Sequence, residues 1–475
     1  MYTVSIPVVL NEHFCKEEIC SELKRAGANR VFLSVGKISF DPVKRKATLA
    51  QLREFVPYFQ SQGFETGIWF WTFWRSDIDS KTEDYLMVTA SGDKRISGTF
   101  LHNGEQRHSG YCCPAQSDFV AHATSIIKAL AETGPDILMF DDDFRYGFIK
   151  GHGGCFCKEH IRLCSEKLGK EITRAALVAE IYADMPSQTR TAWQEVLGET
   201  LENFAVRIRE AVDSVNPHIR FALCSVMSLW DIDGTDSIKI AKLLAGNTKP
   251  LMRLIGAPYW DLIWSQIGSY KPRLQNAIEL ERMQWAWCQE EDIEIMTEGD
   301  TCPRPRYRVP SAYLEIFDTA MRAAGVGHGI HKYMLDYTSS ARYETGYIDR
   351  HLKNAQVYAD IERIFGTKTP CGVRVYETMK KFCGADLSGI SDREAYAENL
   401  FFSPASKMLS DCTIPITYSG NTGAGIAFGE NARHLPPEAF ENGLILDVRA
   451  ARILMEQGVD VGIEAIKGTI SSNSL

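Results

Sequence analysis

The chain has 475 residues, 45% of them hydrophobic, with 52 Lys and Arg against 61 Asp and Glu and a net charge of −9. That length suits two or three domains, or one barrel plus a smaller unit, and an acidic balance without a basic stripe argues against a nucleic-acid partner. No run approaches the roughly 20 apolar residues that span a bilayer, and the opening MYTVSIPVVLNEHF lacks the basic start and small-residue cleavage site of a signal peptide.

Short apolar runs alternate with stretches of helical period. TVSIPVVL (3–10) reads as a strand, KEEICSELKRAGA (16–28) as a helix and RVFLSVG (30–36) as the second strand. TLAQLREFVPYFQSQG (48–63) is a helix interrupted by Pro57, and ETGIWFWTFW (65–74) the third strand. A long polar loop over 75–114 precedes the helix SDFVAHATSIIKALAETG (117–134) and the fourth strand, DILMFDDD (136–143). A Gly/Cys loop and one helical region of about 158–215 follow, then strands RFALCSV (220–226) and LMRLIGAPYW (251–260). A helix over 273–288 leads to the seventh strand, IEIMTEGDT (293–301). A helix over 312–326 leads to the eighth, GHGIHKYMLDY (327–337), and the helix 351–366 closes the series.

Eight strand–helix units in 366 residues predict a (β/α)8 TIM barrel with large loop insertions. A doubly wound sheet more often uses five or six parallel strands. TKTPCG (367–372) marks a boundary. The expectation is a catalytic barrel over 1–367 and a smaller, shortened flavodoxin-like α/β domain over 368–475, in which GLILDVRAARILMEQG runs from strand into helix.

Active sites of such barrels lie where strands end. The fourth strand supplies Asp141, Asp142 and Asp143, the seventh Glu298 and Asp300, the eighth Asp336, and Asp261 follows the sixth. On a strand, Asp141 and Asp143 share a face and Asp142 points elsewhere. Packing three acids together raises at least one pKa, as a general acid requires. Alternatively, Asp141 and Asp142 hold Arg145 and loop amides and only one aspartate is chemical. Glu298, amid Thr, Asp and the arginines Arg304, Arg306 and Arg308, suits a nucleophile; it reads equally as a surface residue of a charged loop. One acid on the fourth strand and one on the seventh is the layout of retaining glycosidases, with carboxyls about 5–5.5 Å apart, against roughly 6.5–9.5 Å in inverting ones.

Trp69, Trp71 and Trp74 cluster at the end of the third strand; one stacks on a sugar and the others fill the barrel. Tyr259, Trp260 and Asp261 line a pocket, and His331 and Tyr333 are weaker candidates, His331 reading best as a satisfied core histidine. Substrate contacts are therefore expected from Asp141, Asp142, Arg145, Trp71, Trp74, Tyr259, Trp260, Asp261 and His331. Thirteen scattered cysteines suggest reduced thiols or a metal site in a cytoplasmic protein. Cys155, Cys157 and His160, joined by Cys112 or Cys113, make a Cys3His set that fits one structural zinc; free thiols beside a capping histidine are the alternative.

FDDDFR followed by GCFCKEH resembles the fourth-strand region of glycoside hydrolase family 42, the β-galactosidases and their relatives. That family carries Asp-Asn-Glu there, followed by a Cys-rich loop that can hold zinc. The resemblance lays Asp142 on the Asn, Asp143 on the acid/base Glu, YCCP (111–114) on the family's earlier cysteine and Glu298 on its seventh-strand nucleophile. It likens the segment after 368, with GLILDVRAARILMEQGVDVGI, to the start of the family's α/β trimerisation domain. It implies a retaining, β-galactosidase-like glycosidase acting on a small glycoside or oligosaccharide, and a trimer. The chain departs from the pattern: Asp143 is one methylene shorter than Glu, Asp142 replaces the Asn that would contact the sugar 2-hydroxyl, His160 replaces a third loop cysteine, and the second domain is short. Three other readings fit the same barrel: a glycoside phosphorylase using PRPRYR for phosphate, a metal-dependent sugar isomerase or lyase, and a sugar-binding barrel without turnover.

Overall fold

The computed structural model describes residues 2–467 apart from 12–13, 40–41, 103, 148–152, 260–273, 303–308, 336–345, 367, 399, 401–402, 421–422 and 466. In chain order the strands are β1 (Thr3–Val9), β2 (Arg30–Lys37), β3 (Glu65–Trp71), β4 (Trp74–Ile78), β5 (Ile96–His102), β6 (Glu105–Tyr111), β7 (Ile137–Phe140), β8 (Arg220–Cys224), β9 (Leu251–Arg253), β10 (Glu294–Gly299) and β11 (Gly329–Lys332). Eight of them, β1-β2-β3-β7-β8-β9-β10-β11, pair in parallel and close into a barrel. The expected (β/α)8 architecture is therefore present.

Alternation along each strand divides the apolar residues between two cores. Phe32, Trp69, Ile137, Met139, Ala222, Cys224, Leu251, Met296 and Tyr333 fill the barrel interior. Val31, Leu33, Ile68, Phe70, Leu138 and Phe140 pack outward with the helices. At the end where strands begin, four charged residues alternate. Arg30 Nη2 lies 2.5 Å from Glu65 and 2.9 Å from Glu294, and Arg220 lies 3.2 Å from Glu65 and 2.6 Å from Glu294. This ring caps the stability end of the barrel and leaves the opposite mouth for chemistry.

Several elements differ from the sequence expectation. The 75–114 stretch is not a plain loop: β4, β6 and β5 form an antiparallel sheet. The Asn103–Gly104 dipeptide between β5 and β6 is a two-residue hairpin signal, and Gly104 takes φ 79°. The helix Pro42–Ser61 runs through Pro57 unbroken. Leu52, Val56 and Phe59 are fully buried on it, and packing of that face outweighs the roughly 3 kcal/mol proline cost. The 158–215 region is three helices, Lys158–Leu168, Arg174–Ile181 and Gln188–Asp213; the first ends at Gly169 in the left-handed conformation. The sixth barrel strand stops at Arg253, and the fourth stops at Phe140, before the aspartates.

Beyond the barrel, β12 (Val373–Val375), β13 (Ile416–Thr417), β14 (Gly425–Ala427) and β15 (Leu444–Leu446) form a parallel sheet in the order β13-β12-β14-β15. That is the 2-1-3-4 start of the flavodoxin-like order. β15 leads into the helix Val448–Glu456, capped by Asp447, which accepts from the Ala450 N–H. This unit is fastened to the barrel's helices: Trp287 Nε1 donates to the Glu377 carbonyl at 2.9 Å, and the buried Arg190 donates to the Ala385 carbonyl at 2.5 Å. Among the described residues no helix is long and apolar enough to cross a membrane.

Candidate active site

The polar layer at the barrel mouth follows from the same alternation that fills the interior. Two residues beyond Leu251 and Met296, on the inward face, stand Arg253 and Glu298. His331 is paired in register with Glu298 on the next strand. Arg253, Glu298, Asp141 and His331 are all buried.

Glu298 is the best-held group of the set. Its Oε2 accepts from the backbone N–H of Gly256 at 3.0 Å and of Ala257 at 3.1 Å. Its Oε1 lies 3.0 Å from Arg253 Nη2. Its own N–H donates to Glu281 Oε1 at 2.7 Å. Burial raises its pKa, opposed by Arg253 and the Gly256 amide. Arg253 also donates to Tyr333 Oη at 3.3 Å; burial works against its charge, but the surrounding acidic groups more than compensate. The tyrosine of GAPYW, Tyr259, donates to Asp300 Oδ2 at 3.3 Å.

The three aspartates lie in a turn past the end of β7, so strand alternation does not govern them. The expectation that Asp141 and Asp143 share a face is replaced by three separate surroundings. Asp141 Oδ1 accepts from the Asp142 N–H at 2.8 Å, and burial, then the charge of Asp142, push its carboxyl well above the usual range. Asp143 is 1% exposed. Its Oδ2 accepts from the backbone N–H of both Thr72 and Trp74, at 2.7 Å each, while Oδ1 has no hydrogen-bond partner among the described residues. Burial pushes Asp143 up to about 7 against the pull of those two amides. Asp142 is half-buried, and its charge acts on Glu298, Arg145 and Cys224.

The aromatic candidates divide. Trp69 belongs to the barrel interior, edge-on to His331 and Tyr333 at 5.6 and 6.0 Å. Trp71 and Trp74 are half-buried, with ring centroids 4.9 Å apart. His331 is a core histidine but not a satisfied one: neither ring nitrogen has a hydrogen-bond partner among the described residues, and burial holds it well below its usual pKa. Arg145 is buried and donates to Tyr111 Oη at 3.3 Å. Trp260, Asp261, Arg304, Arg306, Arg308 and Asp336 lie outside the described residues. Sequence reasoning passed over Arg253, whose signal was a cation inside the apolar run LMRLIG. It also missed Asp233, which accepts from the Gly147 N–H at 2.9 Å and from Ser228 Oγ at 2.7 Å and so pins the turn after the aspartates.

The cysteine loop comes together as a group. Cys113, Cys155, Cys157 and His160 are all buried, with their ligand atoms within 4.8 Å of one another. Cys113 Sγ is 3.6 Å from Cys155 Sγ, 3.9 Å from Cys157 Sγ and 3.6 Å from His160 Nδ1. Four ligands at about 2.0–2.3 Å from one tetrahedral ion would stand roughly 3.5–3.8 Å apart. His160 Nε2 lies 3.1 Å from Tyr146 Oη, the outer contact that fixes a ligating imidazole. Cys112 is outside this group; its buried thiol lies in the field of Arg75 and Asp143 instead. A second acid–histidine cluster, Glu315, Asp318 and His351, is already filled. The Lys332 ammonium sits 2.6 Å from each carboxylate and 2.9 Å from His351 Nδ1.

No family model and no curated protein matches the chain. Solved structures do. A family 42 β-galactosidase from G. stearothermophilus aligns at 14% identity over 94% of this chain and 71% of its own, with a TM-score of 0.57. The β-galactosidase of the psychrophilic Marinomonas ef1 aligns at 11% identity over 94% and 75%, with a TM-score of 0.58. That of the haloarchaeon Halorubrum lacusprofundi aligns at 10% over 94% and 73%, also at 0.58. The fold of this chain is similar to that of the glycoside hydrolase family 42 β-galactosidases.

Proposed function

We propose that the protein is a retaining glycoside hydrolase acting on a small glycoside or oligosaccharide, with Glu298 as nucleophile. The observation that carries this reading is the state of Glu298. It is a carboxyl group at the mouth of a glycosidase-type barrel, held by an arginine and two backbone amides and lying in the field of Asp142. In the first step a Glu298 oxygen attacks the anomeric carbon while an aspartate of the 141–143 run gives its proton to the departing oxygen. In the second, the same aspartate takes a proton from water, which attacks the anomeric carbon and frees Glu298. Trp71 and Trp74 offer apolar faces at the rim for a sugar ring.

The test is a panel of aryl glycosides with and without phosphate. Hydrolysis without phosphate is expected, falling by at least about 1,000-fold in Glu298→Ala. Near-normal turnover of that variant removes Glu298 from the role, and strict phosphate dependence turns the enzyme into a phosphorylase.

Cys113, Cys155, Cys157 and His160 would hold one structural zinc, tying the end of β6 to the loop that follows the aspartates. The donor set, its spacing and the Tyr146 contact support this assignment. Purified protein should carry about one zinc per chain; a content near zero in untreated protein discards it. Thirteen scattered cysteines, an odd number, suit a reducing compartment and support a cytoplasmic enzyme.

A further inference from the structure

The aspartate run contains three carboxyls, and a two-carboxylate mechanism needs only one of them beside Glu298. Resting on the glycosidase reading, we propose that Asp142 is the acid/base, and that Asp143 is a positioning residue that fastens the aromatic rim to the aspartate turn.

The two side chains face different neighbourhoods. Asp143 reaches sideways across the β7–β3 seam. One oxygen is committed to the Thr72 and Trp74 amides, and the other is enclosed, with the residue 1% exposed. Its charge is felt by Arg75 and Cys112 on the side of the β4–β6 sheet and by its chain neighbours Asp141 and Arg145. An acid/base must touch the leaving oxygen in one step and a water in the next. A carboxyl sealed against a backbone turn meets neither.

The two bonds do something else. They fix the chain between Trp71 and Trp74, the pair whose rings meet at 4.9 Å on the rim. A carboxylate oxygen bridging two consecutive-turn amides holds that short link between β3 and β4 to the end of β7. Asp142 is the opposite case. It is the one member of the run that is half-buried rather than sealed. Its N–H is anchored on Asp141 Oδ1, and its charge acts on Glu298 at the mouth.

The chemistry also separates the two by substitution. Asparagine keeps an oxygen that accepts both loop amides, so it serves a positioning residue; it carries no acidic proton, so it fails an acid/base. The probes are 2,4-dinitrophenyl and phenyl β-galactosides, with and without azide. In Asp142→Ala, phenyl galactoside hydrolysis should fall by about 100-fold or more, whereas the dinitrophenyl substrate, whose leaving group needs no proton, should still form the glycosyl-enzyme. Azide, which attacks the anomeric carbon without a base, then releases Glu298 as galactosyl azide forms and restores turnover. Asp142→Asn should match Asp142→Ala.

Asp143→Ala should slow both substrates alike, gain nothing from azide, and speed hydrogen exchange in the peptide carrying Thr72 and Trp74; Asp143→Asn should recover most of both properties. Azide rescue of Asp143→Ala but not of Asp142→Ala, or an Asn variant at 143 as impaired as the Ala variant, overturns the proposal while leaving a glycosidase in place. A wild-type protein that hydrolyses neither galactoside overturns the Asp142 assignment together with the glycosidase reading on these sugars, and the exchange measurement still decides the role of Asp143.

Discussion

Replacing Arg253 by methionine removes the charge that opposes the effect of burial on Glu298. The two side chains are 2% and 6% exposed and meet at 3.0 Å. At an effective dielectric of about 20, a unit pair at that distance interacts by roughly 5 kcal/mol. Burial already raises Glu298, so losing the arginine moves its carboxyl upward again, and at neutral pH it either takes a proton or stays as an uncompensated buried charge. The cost of breaking such a pair is about 3–5 kcal/mol. Arg253→Met should therefore destabilise the protein strongly at pH 8. Arg253→Met combined with Glu298→Gln should recover a large part of the loss, because the second substitution removes the orphaned charge. The assay is chemical denaturation of wild type, both single variants and the double, read as a mutant cycle. A coupling of at least about 2 kcal/mol is expected. In any aryl glycoside assay, the acidic limb of the pH profile should also move upward in Arg253→Met. Additive single-variant effects, with an unmoved acidic limb, would refute the reasoning, since Arg253 would then have no bearing on the charge of Glu298.

Stability should also depend on pH through Asp143. Its folded pKa of about 7 lies above the usual value near 3.9, so the folded state holds a proton that the unfolded state has lost. Its contribution is present below about pH 4 and declines as the pH rises towards 7, by roughly 4 kcal/mol in total. Asp143→Asn should show a shallower decline between pH 4 and 7 in denaturation midpoints; parallel profiles count against a protonated Asp143. At Gly234, φ is +74° and an added Cβ would stand 1.8 Å from the Gln194 carbonyl oxygen. Gly234→Ala forces the long helix Gln188–Asp213 away from the loop after β8 and should cost roughly 3 kcal/mol or more. A melting temperature within a degree or two of wild type would mean that the loop moves freely.

The periodicity of this chain determined its barrel. Eight apolar runs at βα spacing leave few other ways to bury ILMF, RFALC and EIMT on both faces. The same local signals located the β15-to-helix step and the cysteine and histidine that could share an ion. What sequence could not supply was direction at the ends of strands. Alternation holds only while the ladder continues, and β7 stops at Phe140; the surroundings of Asp141, Asp142 and Asp143 were then set by the link after β3 and by Arg253 and Glu298 on β9 and β10. The choice of Cys113 over Cys112 was likewise made by which thiol the turn after β6 carries towards His160. Arg253 was legible as a cation in an apolar run, but its partner lies 45 positions along the chain, from residue 253 to residue 298. Local chemistry thus determined which residues are unusual; closure of the barrel decided which of them meet, because only the closed sheet brings strands distant in sequence to a common mouth.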